Sequence, residues 1–222
     1  MRQLAPALLA VTLFAGMAQA GVVIEEQQTT ERGSGSPTSN KITVIVQGNK
    51  QKYVVGDSKQ VTDLDQGKRL MIIDPVKAYV EMPFPSKHMM RRGRNSEPLS
   101  FQKTGGHQII AGYACDDYLG SNKVGSDEVT VSGCFSTSAP GADNFTAFQK
   151  AMAEKAKGTP LALMSDAPPG IPLKVDTTLT PKAGGRPAVT SHLTVSKVTT
   201  QDLPADTFDP PKGYKRRPLR NY

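Results

Sequence analysis

The stretch KITVIVQGNKQKYVVG sets the pattern for much of the chain. Ile42, Val44 and Val46 alternate with Thr43, Ile45 and Gln47, the period of two expected of a strand with one buried face. Gly48-Asn49 supplies a two-residue hairpin turn, because glycine tolerates positive φ, and KQKYVV returns as the partner strand. Upstream, GVVIEEQQTT reads as a first strand and ERGSGSPTSN as a long hairpin loop. Downstream, QVTDLD turns at Gln66-Gly67 into KRLMIID, and after Asp74-Pro75 the run KAYVEMPF places Ala78, Val80 and Met82 on one side. Connections this short predict an antiparallel meander. A polar, basic stretch over 85–100 interrupts it. HQIIAGYACDDYL and DEVTVSGCFST then open a second group of strands, and IPLKVDTTLT and AVTSHLTVSKVTT, joined through Gly184-Gly185, complete it.

The period changes once. In DNFTAFQKAMAEKAKG, Phe145, Phe148 and Met152 fall on one helical stripe that Ala156 extends. Asp143 is placed to cap the N-terminus and Gly158 to close the C-terminus. Lys150, Lys155 and Lys157 sit towards the C-terminal end, where they suit the helix dipole. The fold class predicted by these patterns is mainly β (α+β): one predominantly antiparallel sheet with a helix against it.

The opening MRQLAPALLAVTLFAGMAQA adds a location. Arg2 precedes an apolar run over 7–17, and Ala18-Gln19-Ala20 has the small-residue form that signal peptidase accepts. Residues 1–20 are therefore expected to be a cleaved signal peptide and the mature protein to be periplasmic. Residues 21–215 are expected to form a single domain and 216–222 a basic tail. With 20 glycines, 17 prolines and no tryptophan, the composition favours short strands and turns. The net charge of +7 is local. Lys87, Arg91, Arg92 and Arg94 form one acid-free patch, and Lys212, Lys215, Arg216, Arg217 and Arg220 form another. In an exported protein such patches fit an anionic membrane or an acidic protein face better than nucleic acid.

Candidate chemistry is thin. His88, His107 and His192 fall in different elements, and no C-x-x-C, H-x-H, H-E-x-x-H or G-x-S-x-G motif is present. Met82, His88, Met89 and Met90 have the ligand types of a Cu(I) site, but Met82 also fits the strand pattern and cations crowd the segment. No catalytic residue, cofactor or metal is assigned. Cys115 and Cys134 are separated by 18 residues, too far for a redox pair of the C-x-x-C kind. The segment between them reads as strand, turn and strand. In an oxidising compartment, such a hairpin predicts a structural disulfide.

Taken in order, KITVIVQGNKQKY, MIIDPVKAYVEM, TGGHQIIAGYACDDYLGSN, GIPLKV and LPADTFDPPKGYK resemble an exported bacterial family, domain of unknown function 4412. More distantly, the chain is similar to the LolA/LolB-like outer-membrane lipoprotein carriers of the periplasm. The resemblance spans about residues 21–215. It implies a curved antiparallel sheet or half-barrel, with one or more helices against a concave face that holds apolar ligands.

The expected function is non-enzymatic binding of an apolar or amphiphilic ligand, such as an acyl chain, in that concave face. Ile42, Val44, Val46, Val80, Met82, Phe145, Phe148 and Met152 are its candidate lining. The same residues equally fit a dry core. The alternative is docking on an anionic membrane or an envelope protein through the basic loop 87–94 and the tail 212–220. The oligomeric state is left open.

Overall fold

The computed structural model describes residues 20–86, 89, 98–124, 127–159, 164–182 and 187–218. Twelve strands form one curved, open sheet. The first six are β1 (Gly21–Arg32), β2 (Thr38–Gln47), β3 (Lys50–Val55), β4 (Ser58–Asp63), β5 (Lys68–Ile73) and β6 (Ala78–Pro83). The others are β7 (Ser100–Ile110), β8 (Tyr113–Val124), β9 (Asp127–Ser136), β10 (Ile171–Thr180), β11 (Val189–Gln201) and β12 (Lys215–Arg217). One helix, α1 (Ala142–Lys155), connects β9 to β10. The spatial order is β12-β6-β5-β4-β3-β2-β1-β11-β10-β9-β8-β7. Strands β1 to β6 are laid down outwards on one side, and β7 to β11 return inwards on the other, so β1 and β11 meet at the centre. All pairs are antiparallel except β12 with β6, which is parallel.

The two-residue turn between β2 and β3 falls at Gly48-Asn49, as its sequence predicts. The first hairpin does not follow expectation. Its loop is only 33–37, because β1 and β2 continue as a polar ladder in which Thr29 pairs with Ser39 and Gln28 with Asn40. Alternation of apolar residues cannot reveal strand that projects beyond the core. For the same reason β7 starts at Ser100, earlier than its apolar end, HQII, suggests. The Gly184-Gly185 turn lies outside the described residues.

The helix also starts differently. Its N-cap is Gly141 in the left-handed region (φ 76°), and Asp143 sits within the first turn, where it can act only on the helix dipole. The reason is packing: a Cβ on Gly141 would lie 2.0 Å from Val22 Cγ2, so only glycine lets the helix start press onto β1.

Cores form on both faces. The inner face, which carries α1, gathers Val22, Ile24, Ile42, Val44, Val46, Phe145, Phe148, Ile171, Leu173, Val195 and Val198. The outer face has a smaller cluster of Val61, Leu70, Ile72 and Phe208, with Ile45, Tyr79, Leu203 and Tyr214 at its margin. Here the C-terminal segment LPADTFDPPKGY folds back over β3 to β6. Tyr214 Oη donates to Asp74 Oδ1 at 3.0 Å, Lys59 pairs with Asp74 at 2.5 Å, and Lys52 Nζ donates to the Thr207 carbonyl at 2.8 Å. The hydrogen bond from Lys59, followed by that from Tyr214, holds the Asp74 carboxyl below the usual range. Strand β12 includes Arg216 and Arg217, which the sequence reading assigns to the tail.

Cys115 and Cys134 are joined by a disulfide with Cα atoms 5.4 Å apart, linking β8 to β9. In the loop-entropy view a closure of this length is worth about 3 kcal/mol.

Candidate functional site

The strand register fixes which side chains share the inner face. One row across it runs Val198, Ile24, Val44, Tyr53, Gln60, Met71, Val80 from β11 to β6. The next runs Val195, Glu26, Ile42, Val55, Ser58, Ile73, Ala78. In pairing with β11, a bulge at Glu25/Glu26 leaves Ser196 as the extra residue, and Val195 and Val198 both join the inner core.

Cover is uneven along these rows. Helix α1 lies over β2 and β10, where Ile24, Ile42, Val46 and Phe148 are sealed from solvent. Beyond β3 the rows open. Tyr53 and Val55 are half-buried, while Met71 is 44% and Ile73 39% exposed. Tyr53, Val55, Gln60, Met71 and Ile73 line a cleft of about 150 Å³. The third row, Val46, Gln51, Thr62, Arg69, Met82, is covered by the segment after β6. There the Arg69 guanidinium lies 4.5 Å over the Phe84 ring and donates to Met89 Sδ at 4.0 Å.

One charged residue stands in the sealed part. Alternation with Val22 and Ile24 puts Glu26 on the inner face, where it is 6% exposed between Val195 and Ile42. Burial alone pushes its carboxyl up to about 7. Tyr53 lies near enough that, after burial, the Glu26 charge further raises its phenol above the usual value.

Larger grooves elsewhere are polar. One of about 270 Å³ is bounded by Thr104, Gln108, Asp117, Ser132, Lys174 and Asp176. Its groups largely satisfy one another: Gln108 donates to Asp117 at 2.7 Å, and Lys174 and His192 both approach Asp176, at 3.6 and 2.7 Å. No group of three metal-ligating side chains occurs among the described residues. His88 and Met90 of the Cu(I) pattern lie outside them, and Met89 packs against the inner core.

The structure thus divides the expected lining. Ile42, Val44, Val46, Phe145 and Phe148 are packed beneath the helix, and Met152 is half-buried at its margin. Val80 and Met82 share their face but lie outside the sealed core, half-buried on β6. Sequence reasoning missed Tyr53, Val55, Met71, Ile73 and Glu26. The run of apolar residues over 70–73 hides which two face each way, since both faces of β5 are apolar. A glutamate in phase with Val22 and Ile24 was a signal available in the sequence.

Among the basic residues, Lys212, Lys215, Arg216 and Arg217 are exposed, and Arg216 pairs with Glu81 at 3.0 Å. Lys87, Arg91, Arg92, Arg94 and Arg220 lie outside the described residues. No described helix is long and apolar enough to cross a membrane.

A family model described as domain of unknown function (DUF4412) matches residues 47–214. No curated protein sequence matches the chain. Among solved structures, PNGF-II aligns over 90% of this chain at 11% identity and a TM-score of 0.44, and the chain spans only 31% of its length. A LolA superfamily protein from Nitrosomonas europaea aligns over 86% of this chain and 90% of its own, at 10% identity and a TM-score of 0.36. A DUF1329 family protein from Desulfovibrio piger covers the same shares at 7% identity and a TM-score of 0.35.

Proposed function

The chain belongs to the DUF4412 family, and we propose that this member is an exported, non-enzymatic protein that holds an apolar or amphiphilic ligand, such as an acyl chain. The observation that carries the reading is the open end of the inner face. Tyr53, Val55, Met71 and Ile73 continue the sealed core's rows into a cleft where the described residues leave apolar surface in water. Each exposed Å² of such surface favours cover by about 25 cal/mol, so a hydrocarbon chain there gains what the helix supplies next door.

Export is supported by the signal-like N-terminus and by the disulfide, a bond that persists in oxidising compartments. The first sheet residue, Gly21, directly follows the expected cleavage after Ala20. It has no room for a side chain, since a Cβ would lie 2.2 Å from Leu203.

A second reading rests on β12, whose Lys215, Arg216 and Arg217 are all exposed at the edge of the sheet and fit an anionic membrane or an acidic protein face. One experiment separates the two. Mature protein from a periplasm is analysed by native mass spectrometry for retained lipid, alongside Ile73→Asp and a Lys215→Gln/Arg217→Gln double variant. Ile73 is used because Phe148, sealed in the core, would report folding instead. The proposal expects lipid on the wild type and double variant but not on Ile73→Asp. Lipid-free wild type, with vesicle binding that salt and the double variant abolish, would replace it with the docking reading.

A further inference from the structure

We propose, resting on the reading above, that Glu26 anchors the ligand's polar end. The ligand is then a single-chain amphiphile with an ammonium headgroup, its tail lying along Val55, Met71 and Ile73.

The argument starts from what surrounds the carboxyl. Glu26 is buried among apolar side chains, and no described group hydrogen-bonds to it or pairs with it. No polar side-chain atom among the described residues is both sealed from solvent and without a partner, so the Glu26 oxygens retain an opening to the surface. A buried carboxylate without a donor is costly. Such a group in a core is normally paired or replaced, and here its row leads straight to the open cleft. Glu26, Ile42, Val55, Ser58 and Ile73 are successive register partners, spanning roughly 19 Å at the usual strand spacing. That distance matches a long extended hydrocarbon chain.

The sign of the group selects the head. A carboxylate or phosphate head would meet like charge. An alcohol would supply one neutral hydrogen bond. An ammonium supplies a charge-assisted bond and lowers the cost of ionising Glu26 in its apolar setting. The neighbours do not compete. Val195 and Ile42 flank it, α1 contributes Phe145, Phe148 and Met152, and Lys155 of α1 is held by the Leu64 carbonyl. The titratable group acting with it is Tyr53, a phenol raised above 10 and neutral near pH 7.

The test compares dodecylamine, dodecanol and dodecanoate binding to the mature protein by titration calorimetry at pH 8, for wild type and Glu26→Gln. The proposal expects the amine to bind about tenfold tighter than either other probe. Glu26→Gln should erase that preference while leaving dodecanol affinity within about twofold. The amine's affinity should also fall as pH drops from 8 to 6 and the carboxyl gains its proton, with dodecanol unchanged. If all three bind alike, or the amine preference survives Glu26→Gln, the anchor is wrong while the apolar site stands. If none binds, the ligand-binding reading itself falls, and the anchor with it.

Discussion

Two halves of the same sheet face make opposite use of similar residues. Over β1, β2 and β10, the inner face is closed by α1, and Ile24, Ile42, Val46 and Phe148 lose all contact with water. Over β3 to β5 the same rows continue with Tyr53, Val55, Met71 and Ile73, yet Met71 and Ile73 stay more than a third exposed. Strand chemistry does not distinguish the halves. A single helix of 14 residues, about 21 Å long, cannot cover a face of this width, and its anchoring at Gly141 on Val22 decides which part it covers. The sealed half is where stability is held. The open half is where a ligand has surface to gain.

The contrast breaks most directly at Phe148. Phe148→Ala should destabilise the protein by about 3–5 kcal/mol in a denaturant titration, since the lost ring leaves a cavity under the helix. A loss below about 1 kcal/mol would mean that the covered half is loosely packed and the division is false.

Glu26 sharpens the boundary, and its effect depends on pH. Its carboxyl rises from 4.5 to about 7 on folding, so the protonated form is the one favoured in the native state. The associated stability is fully present below pH 4.5 and is lost as pH rises through about 7. Glu26→Gln, which cannot ionise, should therefore be close to wild type at pH 4.5 and about 3 kcal/mol more stable at pH 8. Equal stability differences at both pH values would show that the carboxyl is not buried as described.

The smallest effect is expected in the open half. Met71→Ser should change stability by no more than about 0.5 kcal/mol, as for other exposed positions. A loss approaching that of Phe148→Ala would place Met71 in a closed core and remove the cleft.

Much of the architecture was legible. The β2–β3 hairpin followed from strict alternation around Gly48-Asn49, the helix from the spacing of Phe145, Phe148 and Met152, and the Cys115–Cys134 link from strand-turn-strand spacing in an exported chain. The candidate site was only half legible. Ile42, Val44 and Val46 were placed on the correct face with Val80 and Met82, but alternation reports only which side a residue faces. It does not report what lies above that side. The polar extension of β1 and β2 carries no apolar signal at all, so its pairing through Thr29 and Ser39 was invisible.

By itself, then, the sequence determined the local elements, because backbone period and turn geometry are properties of neighbouring residues. It also determined that β5 would be apolar on both faces, through Leu70 and Ile72 on one side and Met71 and Ile73 on the other. Only the tertiary structure decided the fate of those faces. The C-terminal segment brings Leu203, Phe208 and Tyr214 over the outer side, from more than 120 residues away, and Leu70 and Ile72 become core. On the inner side α1 stops short, and Met71 and Ile73 are left at the mouth of a cleft. Burial is set by whatever long-range segment arrives above a strand, and no local pattern encodes that arrival.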